Sequence, residues 1–190
     1  MRSFHQYNSK KMIDMVLPKL KSNQIISLIS DAGTPTISDP GIDLIQACIE
    51  KNIKVCSIPG PSAVIGSLVS SGISTDQFSF LGFAPRDRKT KKTFHERISK
   101  SMETTIFFES PKRVIKTLSD LQVFIGDRTV ALVRELTKKN EEVINGNVAN
   151  VIKNLEKKEK ILGEITVVVS ACTYKHLTEI SDQKILAFAK

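Results

Sequence analysis

The sequence predicts an α/β fold in two domains, and three observations carry that reading. Short Ile- and Val-rich runs alternate with segments of helical periodicity through the first 75 residues. The same alternation resumes after a polar turn near residue 76. A chain of 190 residues with 41% hydrophobic content can bury one sizeable core or two small ones. Repeated strand, turn and helix imply parallel strands joined by right-handed crossovers.

The elements follow in order. "QIISLIS" (Gln24–Ser30) reads as a strand buried on both faces, because its apolar residues do not alternate with charged ones. "GIDLIQACIEKN" continues at helical spacing through Ile42, Ile45 and Ile49. "IKVCSIPG" reads as the next strand, and "PSAVIGSLVSSG" as a helix with Pro61 in its first turn and Gly72 beyond its end. An alternating run from Phe78 to Phe83 then ends at Pro85. A boundary near residue 76 is therefore expected, dividing 1–75 from 76–173, with 174–190 a partial C-terminal extension that looks like the start of a helix. In the second domain "TTIFFES", "RTVALVREL" and "GEITVVVSA" read as strands. "PKRVIKTLSDLQVFI", opened by Pro111, and "NVANVIKNLEKK" read as helices, and "EEVINGN" as a hairpin arm. Mixed strand directions are expected there.

Several function classes are disfavoured. No apolar run reaches the roughly 18 residues of a membrane span, and "MRSFHQYNSKK" lacks the apolar centre of a signal peptide, so a cytoplasmic protein without a membrane partner is expected. Cys48, Cys56 and Cys172 show no CxxC spacing, and His5, His95 and His176 stand far apart, so no metal site is expected. Neither GxxxxGK[ST] nor GxGxxG occurs.

Charge points the other way. The formal net charge is +8, and in Arg86–Lys100 seven of fifteen residues are Lys or Arg against two acids. Such a segment is either a solvated helix face or a surface for a phosphate-rich partner.

Two turns are unusual. "SDAGTPTISDPG" and "SIPGPSA" each follow a predicted strand, where open α/β sheets bind ligands. Gly33 and Gly60 permit close backbone approach, while Pro35, Pro40, Pro59 and Pro61 restrict the loops before any ligand arrives. The plainer alternative is a pair of tight turns with Asp39 or Ser62 as helix caps.

"SDAGTPTISDPG", "PGPSA", "GFAPR", "FFESPKR" and "RELTKKNEEV", in this order, closely resemble the ribosomal RNA small subunit methyltransferase I family of the tetrapyrrole methylase superfamily, over roughly residues 4 to 172. The resemblance implies a two-domain tetrapyrrole-methylase-like fold with S-adenosylmethionine folded into the cleft between the domains. It implies 2′-O-methylation of a cytidine in 16S rRNA of the small ribosomal subunit, and a homodimer. Family members begin with a stretch bearing a Pro-Ile-Gly-Asn-Leu loop and a Glu-Asp-Thr-Arg motif. This sequence has neither, so its first domain is expected to be incomplete at its N-terminus.

Position by position, the resemblance assigns Asp31, Gly33, Thr34, Pro35, Ile37, Pro59, Ser62, Ala63 and Phe108 to the cofactor. Methyl transfer to a ribose hydroxyl needs alignment and a proton acceptor. Glu109 and Glu135, each at a predicted strand end, are the catalytic candidates. Arg86, Arg88, Lys89, Lys91, Lys92, Lys112 and Arg113 are the candidate RNA phosphate contacts, with the 2′-hydroxyl separating RNA from DNA, which is not an expected partner. Two rivals stay open: a precorrin-type methyltransferase acting on an acidic tetrapyrrole, and a non-catalytic RNA-binding remnant.

Overall fold

A computed structural model describes residues 1–173; the expected C-terminal extension, 174–190, lies outside the described residues. Contacts divide the chain into one unit spanning Met1–Ser62 and another from Ala63 onward.

The first unit holds two helices that pack together, α1 (Ser9–Lys21) and α2 (Ile42–Glu50). Helix α2 forms where the spacing predicts it and buries Leu44 and Cys48. Helix α1 contains Pro18, which breaks the usual helical pattern. Met12, Met15, Val16 and Leu20 nonetheless recur at helical spacing and were its available signal.

The expected strands at 24–30 and 53–60 are corrected by the structure. Neither segment is paired in a sheet among the described residues, and Ile25, Ile29 and Ile58 are exposed at 97%, 68% and 84%. An apolar run reports what a segment could bury, whereas a strand exists only if a neighbour accepts its backbone hydrogen bonds.

Among the described residues the second unit is built on five strands: β1 (Phe78–Phe83), β2 (Thr104–Glu109), β3 (Thr129–Arg134), β4 (Glu142–Asn147) and β5 (Ile165–Val169). Their order is β1-β2-β5-β3-β4, with β1 and β2 parallel and every other pair antiparallel. The expected mixed directions and the hairpin arm at β4 are both present. Side chains alternate strictly. Phe107, Leu132 and Val167 enter a core covered by α4 (Arg88–Lys100), α5 (Val114–Ile125) and α6 (Val148–Glu156). Ile106, Ala131 and Val168, on the opposite face, meet Val64 and Leu68 of α3 (Ala63–Ser70). Because both faces are covered, "ITVVV" is buried throughout and reads as continuous apolar sequence. Helix α3, grouped by pattern with the first domain, packs on β2 and β5 of this second unit. Helix α5 begins at Val114, since Pro111–Arg113 form a turn ahead of it.

Candidate cofactor corners and basic helix

The two proline-braced turns meet. Thr34 Oγ1 donates to the carbonyl of Pro61 at 2.9 Å, tying the first corner to the second. Ser30 Oγ donates to the Gly33 carbonyl at 3.1 Å, and the Ile37 N–H to the Thr34 carbonyl at 3.3 Å, which closes a turn. Gly33, Thr36 and Ser38 all take left-handed φ, 72°, 72° and 60°. For Thr and Ser that conformation costs on the order of 1 kcal/mol each and persists where surrounding contacts or a ligand demand it. A Cβ at Gly33 would meet nothing within 4 Å, so the backbone there is open to approach. Ile37 is 44% exposed beside it. Asp31 and Pro59 are exposed, and Pro35 half-buried. Asp39 does not cap α2, whose N-cap is Gly41 without a side-chain bond.

Ser62 and Ala63 lead into α3 and are half-buried. Phe108, on β2, is packed edge-on by Phe80 at 4.8 Å and Phe83 at 5.4 Å between ring centroids. Phe83 itself is exposed.

Glu109 occupies a different setting from the one its strand-end position suggests. It is 2% exposed, and Oε1 accepts from the Ser110 N–H at 2.6 Å and from Arg113 Nε and Nη2 at 2.8 and 2.5 Å. Oε2 accepts from Thr117 Oγ1 at 2.6 Å. With both oxygens engaged, this carboxylate anchors the start of α5, and we reassign it from proton acceptor to structural anchor. Arg113 is correspondingly withdrawn from the phosphate contacts, because its remaining Nη2 bond goes to the Ala84 carbonyl. Thr117, which the sequence reading missed, follows Glu109 and Arg113 at successive intervals of four, and that spacing was its signal.

Glu135 sits just past β3 with φ 53°. Its Oε1 accepts from the Glu164 N–H at 2.9 Å and from Lys138 Nζ at 3.0 Å. The backbone N–H first, and the lysine second, hold this carboxyl below its ordinary range. Its Oε2 takes no hydrogen bond among the described residues.

Helix α4 carries the basic segment. Asp87 caps it, accepting from the Thr90 N–H at 2.9 Å and from Thr90 Oγ1; these bonds lower its pKa. Arg86, Arg88, Lys89 and Lys112 are exposed and have no ion pair among the described residues. Lys92 meets Glu96 at 3.8 Å across one exposed turn, a contact worth little. Lys91, at 23% side-chain exposure, bridges to Asp120 of α5 at 3.5 Å. No group of His, Cys, Asp and Glu suited to a metal occurs among the described residues.

The chain matches a known family. Residues 1–152 match the model of the Tetrapyrrole (Corrin/Porphyrin) Methylases. Among curated proteins, "Ribosomal RNA small subunit methyltransferase I" of Thermotoga maritima is 44% identical over 88% of this chain and 75% of its own length. The protein of that name from Bacillus subtilis is 39% identical over 93% of this chain and 60% of its own length. The chain belongs to the ribosomal RNA small subunit methyltransferase I family within the tetrapyrrole methylases. In fold it is similar to a diphthine synthase, with TM-score 0.65, 13% identity and coverage of 92% of this chain and 71% of that one. It is similar also to the uroporphyrin-III C-methyl transferase of Thermus thermophilus solved with S-adenyl homocysteine, with TM-score 0.56, 12% identity and coverage of 85% and 73%.

Proposed function

We propose that the protein transfers a methyl group from S-adenosylmethionine to the 2′-hydroxyl of a cytidine in 16S rRNA of the small ribosomal subunit. The observation that carries this is the 44% identity, over 88% of the chain, to a relative named for that class of substrate. The exposed cations of α4 support a polyanionic partner. A tetrapyrrole substrate is not favoured. Enzymes named for tetrapyrroles match as folds, at 12% identity for the Thermus protein, while curated relatives at 34–44% carry the rRNA name. The second rival, a non-catalytic remnant, is not favoured either, since the curated relatives at 34–44% identity are named as methyltransferases.

The corner residues fit the donor. An adenosine needs an apolar wall and room beside the backbone; Ile37 offers the first, and Gly33, where a Cβ would meet nothing within 4 Å, the second, with Thr34 next to it. Asp31, Pro35, Pro59 and Ser62 complete the proposed contacts on this unit. When bound, S-adenosylmethionine supplies an electrophilic methyl on a sulfonium whose leaving thioether is neutral. The chain's own part is to fix the hydroxyl in line with that methyl and to take its proton. Glu135, with one oxygen uncommitted, is the proposed acceptor, while Arg86, Arg88, Lys89, Lys92 and Lys112 hold RNA phosphates. A homodimer in the cytoplasm completes the reading, supported by the family resemblance.

Labelled donor incubated with unmethylated small-subunit particles is the test. Label in a ribose 2′-O-methyl group is the expected result, and label accepted only by a precorrin would reverse it.

A further inference from the structure

Between α4 and α5, on the second unit, lies a groove of about 770 Å³, within the roughly 300–1,000 Å³ usual for ligand clefts. Its lining combines three chemistries. Four cations, Arg88, Lys89, Lys91 and Lys92, line it against two acids, Glu96 and Asp120, leaving cations in excess. Val123, 84% exposed, and Phe124 form an apolar wall. His95 also lines it, only 2% exposed, with Nε2 buried and without a hydrogen-bond partner among the described residues. The His95 ring stands 5.4 Å from that of Phe124. A buried nitrogen without a partner costs stability unless something supplies one.

We propose that this groove seats one unpaired nucleotide of single-stranded RNA, its phosphates on Arg88 and Lys89 and its base against Val123 and Phe124 above His95. The proposal rests on the rRNA reading and deepens it. Phosphate binding alone would need only the exposed cations. An aromatic wall and a hydrogen-bonding ring inside the same groove add what an unstacked base requires, a face to lie on and a polar partner for its edge. An acidic peptide would satisfy the cations but has no use for that pairing.

The test is fluorescence anisotropy of the full chain with a twelve-nucleotide single-stranded RNA and with a duplex of the same length, the single strand also carrying 2-aminopurine. His95→Phe keeps the ring volume and removes the hydrogen bond. It is expected to weaken single-strand binding about fivefold and to leave duplex binding unchanged. Val123→Asn, at an exposed position that does not endanger folding, is expected to weaken it about threefold and to reduce the 2-aminopurine quenching. Arg88→Glu with Lys89→Glu is expected to weaken both RNAs. If the charge reversal acts while the His95 and Val123 variants leave the single strand untouched, the nucleotide seat is overturned and the rRNA surface stands. If none of the variants alters either RNA, the nucleotide seat and the α4 phosphate surface both fall.

Discussion

At the scale of single residues, two buried titratable groups decide most. Glu109 holds Ser110, Arg113 and Thr117 at once, so its removal strands a guanidinium that is only 28% exposed. Glu109→Ala is expected to cost about 3 kcal/mol of unfolding free energy, read by urea denaturation. Glu109→Gln, which keeps one acceptor, is expected to cost less. His95 behaves differently. Burial lowers its pKa from the ordinary 6.5, with Asp120 opposing that shift and Lys91 reinforcing it. The folded imidazole is therefore neutral where the unfolded one takes a proton. Stability is full above pH 6.5 and falls as pH drops below it. His95→Phe is expected to flatten the slope of unfolding free energy between about pH 6.5 and 5, and an unchanged slope would place the proton elsewhere. Glu135 is the third residue of consequence. Glu135→Gln is expected to lower the methyl-transfer rate about a hundredfold with the melting temperature within a few degrees, and a fall in stability alone would make it structural.

At the scale of elements, the strand ends and turns carry the constraints. The loop before β5 passes so close to Glu135 that a Cβ on Gly163, at φ 92°, would collide with the carboxylate. Gly163→Ala is expected to destabilise by about 2 kcal/mol and to release the Glu164 N–H from Glu135, raising that carboxyl's pKa. An NMR titration of Glu135 distinguishes this from a simple loss of packing. Elements whose pattern contains its own reason were legible in the sequence. The strand β5 is apolar on every residue because two layers cover it, and α6 presents Val148, Val151, Ile152 and Leu155 on one face. The segments 24–30 and 53–60 were misread for the opposite reason. Their apolarity is real, but pairing belongs to two chains of backbone, and one sequence window contains only one of them.

At the scale of the molecule, the charge of +8 and its concentration on α4 are what the proposed RNA contact rests on. Replacing Arg86, Arg88 and Lys89 together by Glu is expected to abolish methylation of small-subunit particles. Cofactor affinity, measured calorimetrically, should stay within about twofold, because screened surface charges act weakly beyond a Debye length. Loss of cofactor binding in that variant would mean the basic helix serves the donor as well.

The amino-acid sequence by itself determined the α/β class, the strands described in the second unit and the family. These follow from periodicity, from turn residues and from motif order, all of which are local. Only the tertiary structure decided that Thr34 reaches Pro61, that Glu109 and Arg113 satisfy one another, that Lys91 pairs with Asp120, and that a buried His95 lines a basic groove. Each of these joins residues whose partner is chosen by packing, and a side chain's chemistry becomes available or spent only when that choice is made.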